Sequence, residues 1–366
     1  MRVLFAGGGT GGHLFPAIAI AEEIKRLDGA SEIEFIGTEY GIEYRMKDTL
    51  EYKLHVIAMR GMPRKLSLGL LLFPFRLMKA VRQCKVLIQA FKPDIVVGTG
   101  GYVAGPPIMA AAKLGIPSVL QEQNSYPGLV TRKLAAKTTM LFLAYKRAEQ
   151  YLPQGVRHKR LGNPIRRSVT TGNRADALRK FGLREDRKTI LILGGSQGAH
   201  RLNEAVLRSM DKLDATVQIL WQCGKRDYTE VAERLNKKDF VVSLFPFSND
   251  MASVYAAADF AVARAGALTI AELTACGIPA ILVPYPHATA DHQTHNAKEV
   301  VDAGAAEMVA DNELENHDII ARAMEILKSD KLSAMKQAAA NIGRPDAAEL
   351  IARDILALAK GEKLAN

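Results

Sequence analysis

The chain has 366 residues, 48% of them apolar, which is enough for two domains with separate cores. Its net charge of +10 is lopsided: residues 1–163 carry 23 lysines and arginines against 12 acids, and the remainder carries 26 against 27. No apolar run reaches the ~18 residues of a spanning helix, and three scattered cysteines without a C-x-x-C argue against a disulfide framework and for a reducing, cytoplasmic setting.

In chain order, MRVLF reads as a buried strand, AGGGTGGHLFP (6–16) as a glycine turn, and AIAIAEEIKRL as a helix. EIEFIG is the next strand. LSLGLLLFPF (66–75) follows, flanked by Arg64, Lys65, Arg76, Lys79, Arg82 and Lys85. It reads either as a buried helix or as an apolar knob with a basic collar for a membrane surface, made by Leu70, Leu71, Leu72, Phe73 and Phe75. DIVVGTG and IPSVLQEQ complete the strands of the first half, and GNPIRR (162–167) is a chain-turning signal. The pattern then restarts. TILILGG runs into a second glycine turn, SQGAH, and VQILWQCG, FVVSLFPF, DFAVARAG and PAILVPYP read as further strands.

Strands alternating with helical stretches such as PIMAAAKLG, LNEAVLRSMDKL and ALTIAELTACG predict parallel sheets covered on both faces. The fold class expected is α/β, with two Rossmann-like domains facing across a cleft. The first domain spans 1–163, rejoined by a last helix at about 342–366, and the second spans 164–341.

Three glycine loops stand at strand ends: GGGTGGH (7–13), GTGGYVAG (98–105) and GGSQGAH (194–200). Backbone N–H groups at such turns form anion sites, with phosphate the usual guest. Gly7, Gly9 and Gly12 formally satisfy the dinucleotide fingerprint, and Glu39 could serve as its acidic partner. A second phosphate loop in a second β-α half is not needed for hydride transfer. It suits a transferase that uses one half for the donor and the other for the acceptor. His13 closes the first loop at the carboxyl end of a strand, where ligands of open α/β sheets bind, and is a candidate base. RAGALTIAE (264–272) offers a helix N-terminus at Ala267, Leu268 and Thr269 for a diphosphate, and Glu272 for two ribose hydroxyls. DHQ (291–293) brings Gln293 to the same edge. The sequence has no D-x-D, no HEXXH and no Cys/His cluster, so no protein-bound metal or other cofactor is expected.

Taken together, GGGTGGH, GTGGYVAGPP, QEQNSYPG, GNPIR, GGSQGAHRLN, RAGALTIAE and DHQ…N occur in the order seen in the MurG family, and the resemblance spans residues 7 to about 296. It implies the GT-B fold. It also implies inverting transfer of N-acetylglucosamine from UDP-N-acetylglucosamine to the muramoyl 4-hydroxyl of undecaprenyl-pyrophosphoryl-N-acetylmuramoyl-pentapeptide (lipid I), giving lipid II for peptidoglycan. Under it, Thr10, Gly11 and Gly12 lie by the donor sugar, and His13 or Glu122 is the base. Gly100, Gly101 and Tyr102 face the acceptor pyrophosphate, and Asn124 contacts the transferring sugar. Arg166 and Ser196 hold the UDP phosphates, Ser248 presents backbone groups to uracil, Glu272 binds ribose and Gln293 binds sugar hydroxyls. The anionic partner expected from charge becomes a membrane rather than nucleic acid, with the protein peripheral on the cytoplasmic face. Gln121 stands where several members carry histidine, which excludes that position as the base here. The alternatives are an enzyme resembling UDP-N-acetylglucosamine 2-epimerase and a nucleotide-sugar-binding subunit that needs a catalytic partner.

Overall fold

The computed structural model describes residues 1–61, 71–195, 198–235 and 241–364. The chain divides into two compact units, Met1–Arg166 with Asp346–Asn366, and Arg167–Pro345.

In the first unit, β1 (Arg2–Ala6) leads to α1 (Gly11–Leu27), β2 (Glu32–Gly37), α2 (Ile42–Arg45) and β3 (Lys53–Val56). After α3 (Phe73–Phe91) come β4 (Ile95–Gly98), α4 (Gly105–Leu114), β5 (Ser118–Glu122), α5 (Leu129–Leu134), β6 (Met140–Leu143) and β7 (His158–Arg160). The described strands form one parallel sheet in the order β3-β2-β1-β4-β5-β6-β7. Central strands buried on both faces read as continuous apolar runs because helices cover both sides. Leu4, Ala6 and Val96 pack on one side with Cys84, Ile88 and Ile108, and Val3, Phe5 and Val97 on the other with Leu14, Ile20 and Ile24. The last helix, Ala347–Ala359, closes this second side with Ile351, Ala352 and Ile355. It is tied there by Arg26 to Glu349 at 2.7 Å and by Lys159 to Asp354 at 3.0 Å.

The second unit contains α6 (Arg174–Lys180), β8 (Lys188–Leu193), α7 (His200–Ser209), β9 (Val217–Gln222), α8 (Tyr228–Leu235), β10 (Val242–Phe245) and α9 (Met251–Ala257). It continues with β11 (Phe260–Arg264), α10 (Ala267–Ala275), β12 (Ala280–Val283), α11 (His292–Asp302), β13 (Ala306–Met308), α12 (Ile319–Leu327) and α13 (Lys331–Ile342). Its described strands run parallel in the order β10-β9-β8-β11-β12-β13. Trp221 of β9 is fully buried, and its indole N–H donates to Asn203 Oδ1 at 3.1 Å, which pins α7 to the sheet.

Each sheet reverses its direction of winding beside its first strand, between β1 and β4 and between β8 and β11. Loops leaving adjacent strands on either side of such a switch point diverge and open a crevice at the carboxyl edge. The divide between units falls three and four residues later along the chain than the expected 163/164 and 341/342. The cause is local. Asn163 and Ile165 are still buried in the first unit. Gly343 is held in the second, where an added Cβ would lie 2.5 Å from the Thr274 carbonyl oxygen.

Candidate active-site loops

In the first unit, Ala6 pairs with Gly98, so the loops that follow β1 and β4 leave the sheet at one level. They interlock through glycines. A Cβ on Gly7 would lie 1.8 Å from Thr99 Oγ1, and that hydroxyl donates to the His13 carbonyl at 2.7 Å. Gly9 (φ +84°) lies under the Tyr102 ring. The fully buried Glu43, which sequence reasoning missed, fixes the first loop from below. Its carboxylate accepts the Gly9 N–H at 2.7 Å and the Thr38 N–H at 2.9 Å, and Gly8, Gly37 and Gly41 crowd against it. The signal was the cluster of glycines around one acid, legible only once the strands are placed.

Thr10 and Gly12 are exposed at the start of α1, and His13 is half-buried beside them. The His13 ring packs on Gly100 (φ +95°) and Gly101 (φ +70°), where added Cβ atoms would approach it to 2.8 and 3.0 Å. Its Nδ1 lies 3.1 Å from the Thr99 carbonyl and 2.9 Å from Gln123 Oε1. Among the described residues its Nε2 has no hydrogen-bond partner. The Tyr102 hydroxyl is 3.1 Å from Thr38 Oγ1, and Gly100 and Gly101, two of the residues expected to face an acceptor pyrophosphate, build the histidine's seat.

Glu122 ends β5 and is 3% exposed. It accepts from the Asn124 backbone at 3.1 Å, the Asn124 amide at 3.2 Å, the Gly128 N–H at 2.9 Å and the Thr131 hydroxyl at 2.6 Å. A carboxylate has about four lone-pair sites, so four donors fill it. The loop 123–128 is thereby folded around Glu122, and Asn124 is held in place by it. Arg166 is the last residue of the first unit. Its positive charge reaches Glu22 of α1, whose carboxyl burial pushes above its ordinary range, and partly opposes that shift.

In the second unit, α10 starts at Ala267 behind Gly266, which supplies no capping side chain. Leu268 and Thr269 therefore lie in a first turn whose N–H groups belong to the class with no intrahelical partner. Glu272 accepts the buried Tyr255 hydroxyl at Oε2 over 2.7 Å. Burial and the Glu272 charge push that phenol well above its ordinary pKa. The Cys276 thiol, one turn on, is raised to about 12, first by burial and then by the same carboxylate. Gln293 Oε1 accepts the Tyr285 N–H at 2.9 Å, at the mouth of the turn after β12. Arg264, unmarked by sequence reasoning, stacks near Tyr285 and meets the buried Asp311 at 2.6 Å. The Ser248 N–H donates to Gln222 Oε1 at 3.1 Å, so the N–H half of the uracil-facing role expected for it is taken up by the end of β9. Ser196 lies outside the described residues, between Gly195 (φ +80°) and Gly198 (φ +78°).

The apolar knob is described from residue 71 onward; Arg64, Lys65 and Leu70 lie outside the described residues. Leu71 (72% exposed), Phe75 (65%), Met78 (51%) and Val86 (65%) lie along one face of α3 and the turn before it, and Leu72 is also exposed. Arg76, Lys79 and Arg82 are exposed among them. Phe73 departs from the expected set: it is partly buried and packs against the hydrophobic core of the first unit. Among the described residues no helix is long and apolar enough to cross a membrane.

The glycosyltransferase family 28 N-terminal domain matches residues 3–142, and the family 28 C-terminal domain matches residues 189–351. A Halothermothrix orenii protein is 40% identical over 99% of this chain and 100% of its own length. It bears the name UDP-N-acetylglucosamine–N-acetylmuramyl-(pentapeptide) pyrophosphoryl-undecaprenol N-acetylglucosamine transferase. The crystal structure of Acinetobacter baumannii MurG superposes with a TM-score of 0.77 at 30% identity, covering 97% of this chain and 99% of that one. UDP-GlcNAc 2-epimerase from Neisseria meningitidis reaches 0.64 at 15% identity over 97% and 100%, which is a likeness of fold alone. Both family 28 domains in order, with relatives matched from end to end, establish that this chain belongs to the MurG family of glycosyltransferases.

Proposed function

We infer that this chain transfers N-acetylglucosamine from UDP-N-acetylglucosamine to the 4-hydroxyl of the muramoyl sugar of lipid I, making lipid II. The observation that carries this reading is the full-length identity of about two residues in five to transferases of that name.

The second unit takes the nucleotide. The ribose hydroxyls meet Glu272, the diphosphate meets the N-terminal turn of α10, and Gln293 meets the sugar. Arg166 and Ser196 are assigned to the diphosphate from the family pattern. The first unit takes the acceptor and carries the base. We assign that base to His13 rather than Glu122, because the glutamate's acceptor positions are filled by its own loop, whereas His13 Nε2 has no protein partner among the described residues. His13 Nε2 takes the proton of the acceptor hydroxyl. The oxygen attacks the anomeric carbon, the bond from that carbon to the UDP oxygen breaks, and UDP leaves with the electron pair. The single displacement inverts the anomeric centre. Helix N-termini and Arg166 stabilise the charge that develops on UDP.

The exposed face of α3, with its basic residues, rests on an anionic membrane and makes the protein peripheral there. The reaction has no metal requirement on this reading, and activity persists in excess chelator.

The test is transfer from labelled UDP-N-acetylglucosamine to a water-soluble lipid I analogue. His13→Ala lowers kcat by about 10²–10⁴-fold. No transfer by the unsubstituted protein removes the reading, whereas a near-normal kcat in His13→Ala removes the base assignment alone.

A further inference from the structure

The hydrogen-bond chain behind His13 has only one consistent direction. Gln123 Nε2 lies 2.7 Å from the Thr99 carbonyl and 3.2 Å from the Gln121 carbonyl. Both partners are backbone oxygens that can only accept, so the atom facing them must be the NH₂ group. The far end is fixed in the same way: Asn163 Nδ2 lies 3.0 Å from the Gln123 carbonyl, so Asn163 Oδ1 faces Gln121 Nε2 at 3.2 Å. Gln121 then presents its own oxygen to the Gln123 amide. Turning any one of the three amides would set like groups against each other in a buried place, where an unmade hydrogen bond leaves a desolvated polar group without compensation. Gln121, Gln123 and Asn163 are all buried.

The consequence falls on His13. Gln123 Oε1 is the atom left facing its Nδ1, at 2.9 Å, and the Thr99 carbonyl is the second neighbour, at 3.1 Å. Two oxygens that only accept surround Nδ1, so Nδ1 must carry the hydrogen in the neutral ring. The opposite nitrogen is then the one with a lone pair. We propose that Gln123, held by Gln121 and Asn163, is a positioning residue that locks His13 in the Nδ1–H tautomer and aims an unprotonated Nε2 outward as the base. The proposal rests on His13 being the base of the transfer, but the tautomer can be read without any transfer taking place. It also gives Gln121 a function. With the general base elsewhere, its side chain sets the direction of the chain that orients that base. A base held in the wrong tautomer loses rate with its geometry intact.

The experiment is long-range ¹H–¹⁵N correlation on protein carrying ¹⁵N-histidine. It is recorded without substrate at about pH 8.5, some two units above the ordinary imidazole value of about 6.5. The His13 ring is identified by its loss in His13→Gln. The expected result is a hydrogen on Nδ1 and a pyridine-like Nε2. In Gln123→Leu, whose fold is checked by the remaining histidine signals, the ring becomes a mixture of tautomers. There kcat falls about 10-fold or more while KM for UDP-N-acetylglucosamine stays within about two-fold. An Nε2–H ring in the unsubstituted protein overturns the proposal, whatever the variant does. So does a folded Gln123→Leu protein that keeps a pure Nδ1–H ring. An Nδ1–H ring in a protein without transfer activity would count against the functional reading and leave the tautomer lock standing.

Discussion

The phenol of Tyr255 donates to Glu272 Oε2 at 2.7 Å, a bond from a buried residue of α9 to a half-buried carboxylate of α10. It holds the carboxylate in one orientation, as the proposed contact with two vicinal ribose hydroxyls requires. Glu272→Ala should raise KM for UDP-N-acetylglucosamine with little change in the acceptor KM. Loss of hydrogen bonds to a charged group corresponds to about 1.5–3 kcal/mol. Tyr255→Phe removes only the orienting bond and should give a smaller rise, with kcat retained. Initial rates at varied donor concentration measure both. An unchanged donor KM in Glu272→Ala would take this residue out of the nucleotide site.

Glu43 presents a different dependence, of loop shape on one buried acid. Its carboxylate holds the N–H groups of Gly9 and Thr38, and a Cβ on Gly37 would come within 2.4 Å of its Cγ. Glu43→Ala strands these donors, at a cost of roughly 1–3 kcal/mol each where they stay buried. Gly37→Ala overpacks the same place and should cost about 1–3 kcal/mol. Both variants should unfold at lower temperature by calorimetry and lose transfer activity out of proportion to donor binding. Wild-type stability in Glu43→Ala would mean that the loop holds its shape without the acid.

How far the sequence revealed this molecule depended on the range of the signal. β1, β8, β9 and β11 are apolar runs bounded by glycine, and both Rossmann-like units were expected from them. β3, β7 and β13 were missed because three- or four-residue edge strands with polar members carry no period. β6 was missed because four apolar residues alone do not define a strand. In the loops, His13 and Glu122 were both visible as candidate bases, but what separates them was not. That depends on which donors surround each side chain, and Thr131 reaches Glu122 from nine residues away while Gln123 reaches His13 from 110. Glu43 and the orienting role of Gln121 escaped for the same reason, since Gly9 lies 34 residues from Glu43 and Asn163 lies 42 from Gln121.

Acid should weaken the second unit at a definable pH. Arg322 grips Glu307 through Nε at 2.9 Å and Nη2 at 2.6 Å, and Lys331 adds to it, so the carboxyl is held down at about 2. Lys328 and Thr216 hold Asp214, and Lys180 and Ser253 hold Asp250, also at about 2. A carboxyl whose folded value lies below its unfolded value binds fewer protons when folded. Its contribution is therefore complete above the unfolded value and is lost as pH falls toward the folded one. For these residues that window runs from 4.5 for Glu307 and 3.8 for the aspartates down to about 2. Denaturation midpoints should fall across it, and Glu307→Gln should flatten the slope there while lowering stability at neutral pH. A slope unaltered by Glu307→Gln would mean that the acid sensitivity arises elsewhere.

The proposed membrane docking makes the most selective demand on the sequence. Leu71 and Phe75 are both more than half exposed, four residues apart on one side of α3, whereas Phe73 between them is packed inward. Insertion contributes roughly 25 cal/mol per Å² of apolar surface buried, and each exposed Lys or Arg adds about 1 kcal/mol near an anionic leaflet. On that proposal the sum should give reversible binding that weakens with salt. Leu71→Asp with Phe75→Asp should therefore abolish flotation with anionic vesicles. The same variant should keep its thermal midpoint and its transfer to a short-chain, water-soluble acceptor, because neither side chain belongs to the core. Phe73→Asp should behave in the opposite way and destabilise the fold, since it places a charge against the hydrophobic core of the first unit. If the Leu71, Phe75 double variant still floats with vesicles, this face of α3 is not what meets the membrane, and the basic residues must dock the protein without it.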